Sequence, residues 1–156
     1  METRFWSSTT CVVRVDVLLG EIATRAHIMA DAQIAKGVEA PEAWSIQPET
    51  DADTADGTLL RKTLSDAWRR MASVLHEHVL SSSVNATALT VVFRVPVRYS
   101  EASCKALPRL LRAYAVSTAL AEWFLHCGYD DGGAHATEAS TTLEEITRTL
   151  SHRVRP

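Results

Sequence analysis

Between Leu107 and Phe124 the chain is apolar on nearly every side at helical spacing. Leu107, Leu111, Tyr114, Ala115, Thr118, Ala121 and Phe124 mark one face, and Leu110, Leu120 and Trp123 widen it. A helix of this kind cannot lie on a water-exposed surface. It must run through the centre of a bundle or lie in an interface. The remaining elements are therefore expected to be its cover. Pro108, which lacks an N–H, is expected within the first turn of this third helix, after a turn from Tyr99 to Cys104. The helix is expected to end near His126, before Gly128.

Two segments alternate with period two and contain β-branched residues. In Thr10–Asp16, Cys11, Val13 and Val15 face one way and Val12, Arg14 and Asp16 the other. In Ala88–Val97, Leu89, Val91, Phe93 and Val95 alternate with Thr90, Val92 and Arg94. Pro96 restricts its neighbourhood to an edge or a strand end. Asp16 is suited to cap a first helix, its carboxylate accepting a free backbone N–H. That helix is expected over residues 17–35, with Leu18, Leu19, Ile22, Ala26, Met29 and Ile34 inward and Gly37 as its stop. The second helix is expected from Thr58 to about Leu80, with Leu60, Leu64, Ala67, Trp68, Met71, Val74, Leu75 and His78 on its stripe and the serine run Ser81–Ser83 ending it. After a turn at Asp130–Gly133, a fourth helix is expected over residues 134–153, with Ala136, Ala139, Leu143, Ile146 and Leu150 inward.

The expected fold is mainly α (α+β). It is a four-helix domain with a small two-stranded β ribbon, in the order β-α-loop-α-β-α-α. All 156 residues fit one domain, with residues 1–9 as a flexible N-terminus and residues 38–57 as an acidic loop. No run is long and apolar enough for a membrane span, and no signal peptide is evident at the start, so a cytoplasmic protein is expected. The three cysteines, Cys11, Cys104 and Cys127, are odd in number and lack CxxC spacing. Reduced thiols are expected, without a disulfide or zinc framework.

The motifs considered for chemistry are weak. On a helix, His76 and His78 point about 200° apart and cannot share a metal. Asp51, Asp53 and Asp56 open like a calcium loop, but Gly57 is misplaced and the twelfth position is Lys62. No GxSxG, GxGxxG or Walker lysine is present. The expectation is no enzyme, no metal and no cofactor.

Charge is more informative than motif. The net charge is −3, from 16 basic and 19 acidic residues, and nucleic-acid binding is not expected from that balance. The acids Glu39, Glu42, Glu49, Asp51, Asp53 and Asp56 form a stretch without Lys or Arg. Arg94, Arg98, Lys105, Arg109 and Arg112 are opposed only by Glu101, and Arg148, Arg153 and Arg155 follow the last acid. Arg61, Lys62, Arg69 and Arg70 fall on the polar side of the second helix, where a solvated face is expected. The candidate interaction surface comprises Trp6, Trp44, Asp51, Asp53, Asp56, Arg94, Arg98, Arg109, Arg112, Arg153 and Arg155.

Three pieces of the chain carry a family likeness. They are "DADTADGTLLRKTLSDAWRRMASVLHEHV", "ALTVVFRVPV" and "LPRLLRAYAVSTALAEWFLHCG". With them, residues 51–156 resemble the small head–tail connector (adaptor) proteins of tailed bacteriophages and related prophage proteins. The resemblance implies a non-enzymatic structural protein that assembles into a ring between portal and tail. Its partners would be its own subunits and portal or tail proteins, in the host cytoplasm or the virion. The alternative is a bacterial helical protein-binding or adaptor module.

Overall fold

The computed structural model describes residues 6–35, 55–97, 99–126 and 132–151. The elements are β1 (Trp6–Arg14), α1 (Val15–Ala35), α2 (Ala55–Val74), β2 (Val79–Val84), β3 (Ala88–Pro96), α3 (Glu101–His126) and α4 (Gly132–Leu150). Four helices accompany an antiparallel sheet, and the class is mainly α with α+β character. The sheet has three strands rather than two, in the order β1-β3-β2.

Helix α3 occupies the centre. Every residue from Tyr114 to Ala121 is buried, and α3 packs against α1, α2, α4 and β1. Of the two places open to an all-round apolar helix, the interior is the one it takes. Ala115, Ala119 and Ala121 keep its flanks thin enough for close approach by its neighbours. It begins at Glu101, earlier than Pro108 suggests. The Ser100 hydroxyl accepts the Ser103 N–H at 3.4 Å, Cys104 N–H donates to the Ser100 carbonyl at 3.0 Å, and Glu101 sits at the positive end of the dipole. Pro108 is thus inside the helix and forgoes one backbone bond. The fully buried Leu107 and Leu111 on either side hold the helix through it.

The sheet lies over the helices with one face. Cys11, Val13, Leu89, Val91, Phe93 and Val95 are buried, as the alternation requires. Strand β1 reaches back to Trp6, so Trp6 to Thr9 are paired and not a tail; Trp6 stands opposite Pro96 and Arg14 opposite Ala88. Chain direction reverses at once into α1. Val15 N–H donates to the Thr87 carbonyl at 2.9 Å, and the Asp16 carboxylate accepts the Val17 N–H at 2.9 Å. Pro96 closes β3, where a missing donor costs the ladder least.

Helix α2 stops at Val74, not near Leu80, and Val74 is 55% exposed instead of inward. Tighter i→i+3 bonds, His76 N–H to Ser73 O at 3.4 Å and His78 N–H to Leu75 O at 2.8 Å, unwind its end. The serines then form β2 by pairing with β3, with a register irregularity between Val79 and Ser81 that leaves Leu80 57% exposed. The β2–β3 turn is fastened by Asn85, whose Oδ1 accepts from Thr87 N–H and Oγ1 at 2.9 Å and from Ala88 N–H at 2.8 Å. Helix α4 starts at Gly132, within the expected turn, and ends at Leu150; its Ala136 is exposed while Ala139, Ile146 and Leu150 are buried.

Side chains tie the layers together. Trp68 Nε1 donates to the Thr90 carbonyl at 3.1 Å, joining α2 to β3, and the Tyr114 hydroxyl donates to the Ala67 carbonyl at 3.3 Å, joining α3 to α2. Arg25 of α1 meets Glu138 of α4 at 3.6 Å. The buried residues of all these elements form one hydrophobic cluster.

Truncating the centre should be far costlier than truncating the misread end of α2. Leu111→Ala is expected to lower the unfolding free energy by about 2–5 kcal/mol. Val74→Ala should stay within about 0.5 kcal/mol. Urea titrations followed by circular dichroism measure both.

Candidate functional site: the open face and outer edge of the sheet

The second face of the sheet has no cover among the described residues. Register places its side chains in rows across the strands: Ser8 beside Arg94; Thr10, Val92 and Ser81; Val12, Thr90 and Ser83. Val12 is 55% exposed. The surface is rich in hydroxyls and β-branched methyls, with few charges.

Trp6 and Arg94 close one end of this face. They are diagonal neighbours across β1 and β3, and the Arg94 guanidinium lies 4.5 Å from the Trp6 ring centroid. That cation–π contact is worth about 0.5–1 kcal/mol at an exposed site. Arg94 also donates from Nη2 to the Glu77 carbonyl at 3.2 Å, which holds the guanidinium over the ring. The indole is thus held in place at the end of the face.

The edges of the sheet differ. Strand β2 has six residues and an irregular register, features that discourage further pairing. Strand β1 has nine residues in unbroken register with β3, and its only charge, Arg14, is at the end. Among the described residues nothing pairs with its outer side.

Of the expected surface residues, the structure brings together Trp6 and Arg94. Arg109 and Arg112 are exposed on α3, away from any described ion-pair partner. Trp44, Asp51, Asp53, Arg98, Arg153 and Arg155 lie outside the described residues, and Asp56 is in the first turn of α2 with its side chain outside them. The residues missed from the expected surface are Val12, Thr90, Val92, Ser81 and Ser83. Alternation already pointed Val12, Thr90 and Val92 outward; nothing in the sequence marked the serines as strand.

Among the described residues the histidines do not converge. His76 is exposed, with Nδ1 at 3.1 Å from the Ser73 carbonyl, and His78 sits in the turn before β2. His135 stacks on Phe124 with centroids 5.5 Å apart and has Nδ1 3.8 Å from Glu138. Among the described residues no group of three His, Cys, Asp or Glu could hold a metal ion, and no helix is long and apolar enough to cross a membrane.

A cleft between α2, α3 and α4 has a volume of about 190 Å³ and is lined by Arg70, Tyr114, Thr118, Glu122, Ser140 and Leu143. A neighbouring hollow of about 100 Å³ shares Arg70, Thr118 and Glu122 and adds Asp66. Its cation therefore already faces two carboxylates. Burial raises the Tyr114 hydroxyl above its ordinary value, which keeps it protonated and hydrogen-bonded to α2.

No family model matches the chain, and neither a curated protein nor a solved structure matches it.

Where β1 meets the start of α3, burial pushes the Cys11 thiol up to about 11, with Cys104 adding to the effect. Burial likewise pushes Tyr99 up to about 12, again with Cys104 and Cys11 adding to it. Both groups are neutral when protonated, and the folded chain holds the proton more tightly than the unfolded chain. The thiol's contribution to stability is therefore intact below pH 9.0, its ordinary value, and falls as pH rises through about 11; that of the phenol is intact below pH 10.0 and falls as pH rises through about 12. The urea midpoint is expected to decline across that window. Cys11→Ala should flatten the lower part of the decline, and Tyr99→Phe the upper part.

Proposed function

We propose that this chain is a non-enzymatic assembly protein that docks through the outer edge and open face of its sheet. The observation that carries the reading is β1: nine regular residues that, among the described residues, are unpaired on one side, beside a face that none of them covers and that Trp6 and Arg94 close at one end. Such an edge is a template for strand addition by a second chain, with backbone bonds giving affinity and alternate side chains giving specificity. The family resemblance of residues 51–156 supplies the setting. The chain is read as a phage or prophage head–tail connector that joins copies of itself and neighbouring portal or tail proteins, in the host cytoplasm or the virion. Segregated charge, acidic in residues 39–56 and basic around Arg109 and Arg112, favours head-to-tail contact between identical subunits.

Light scattering on the full chain, alone and with recombinant portal, tests this reading over a range of salt. Ring-sized oligomers, or association on the portal, are expected. Thr10→Lys with Val12→Lys should abolish that association while leaving the circular dichroism spectrum unchanged, because both side chains are exposed. A chain that stays monomeric under every condition, with and without portal, would overturn the proposal.

A further inference from the structure

Four basic residues share the polar side of α2, and the structure separates one from the rest. Lys62, Arg69 and Arg70 are exposed, whereas Arg61 is half-buried. Its Nη1 is shielded from solvent and, among the described residues, has no hydrogen-bond partner. A buried cationic nitrogen without a partner is strongly unfavourable, and proteins normally place an anion against it.

Arg61 borders a cavity of about 180 Å³ between α2, the β2–β3 turn and the start of α1. Arg61, Lys62, Ser65 and Asn85 supply its polar lining, with Val15 and Val84 as apolar wall. All four polar residues can donate. Asn85 uses its carbonyl oxygen to fasten the turn, accepting from Thr87 and Ala88, so its amide nitrogen remains to donate. No carboxylate lines the cavity among the described residues. Asp16, the acid at the start of α1, is already engaged by Arg14 at 3.2 Å and by the Val17 N–H. This distinguishes the cavity from the hollow beside the α2–α3–α4 cleft, where Asp66 and Glu122 accompany Arg70. The Val15 N–H is taken by the Thr87 carbonyl, so side chains rather than the helix end form the site.

We infer that this cavity binds a phosphate-class oxyanion. Two cations and two neutral donors match a tetrahedral dianion with several acceptor oxygens better than a carboxylate, which offers one charge and two oxygens. Free phosphate and the head of a phosphomonoester share this chemistry.

Thermal unfolding and calorimetric titration of the full chain test the site, comparing inorganic phosphate with chloride at matched ionic strength. Phosphate should raise the melting temperature saturably. Arg61→Met should remove that response, and in chloride it should be at least as stable as the wild type because the unpaired charge is gone. Lys62→Gln should weaken phosphate binding about tenfold, as expected for one charge-assisted hydrogen bond; it carries the test if Arg61→Met does not fold. Arg70→Gln should bind as the wild type does. Glycerol phosphate binding more tightly than inorganic phosphate would identify a monoester as the ligand class, and equal binding would identify free phosphate. Equal behaviour in phosphate and chloride, or undiminished binding by both Arg61→Met and Lys62→Gln, would overturn the inference.

Discussion

Through its middle, helix α3 has no side to turn toward water. From Tyr114 to Ala121 each successive residue is buried, and one turn of helix spans 3.6 residues, so burial covers the whole circumference. Cover must come from several directions at once. Helices α1, α2 and α4 supply part of it, and the sheet contributes through β1, whose Cys11 and Val13 are buried. A three-stranded sheet used as one wall of such a cover has a second face left over. The proposed docking surface follows from this requirement: the sheet closes the core with one face, and among the described residues nothing covers its outward rows or pairs with the edge of β1.

The sheet and helices also hold each other in register. Trp68 reaches from α2 to the Thr90 carbonyl, and Tyr114 reaches from α3 to the Ala67 carbonyl one residue before Trp68. These bonds link α3, α2 and β3 through adjacent residues of α2. A polar atom carried into a core needs its partner at a fixed distance. The two bonds therefore restrict sliding between layers more than apolar contact alone can. The rigidity of the open face, including the placement of Arg94 over Trp6, rests on this bracing.

Legibility in the sequence followed the strength of hydrophobic pattern. Strands β1 and β3 were readable because Cys11, Val13, Leu89, Val91 and Phe93 alternate, and α3 because its apolar residues exceed one face. Strand β2 was not readable. Val79 and Val84 are too far apart to show a period, and the serines between them gain their place by backbone pairing with β3, which composition does not encode. The start of α3 was misplaced because Pro108 is a strong local signal, here outweighed by the burial of Leu107 and Leu111. Within the candidate site, Trp6 and Arg94 were identifiable singly as surface residues. Their contact was not, since it depends on a register that pairs Trp6 with Pro96 across ninety positions of chain. Arg61 shows the same limit in reverse. In sequence it is one of four similar cations, and only the packing of the β2–β3 turn against α2 sets it apart.

The two features assigned to this chain sit at opposite ends of the same strand pair. Trp6 and Arg94 lie where β1 begins and β3 ends; Val15 and Asn85 lie where β1 has given way to α1 and β3 has yet to begin. Nine strand residues separate them, roughly 30 Å at about 3.3 Å per residue. A partner strand added along β1 gains its backbone bonds without needing Arg61 or Lys62, which belong to α2. An oxyanion held at the turn, conversely, would contact Asn85 and so stabilise the hairpin that keeps β3 in place. Coupling between the two, if ligand at one end alters assembly at the other, has a physical route through β3: Asn85 fixes its first residue, and Arg94 near its end carries the contact with Trp6.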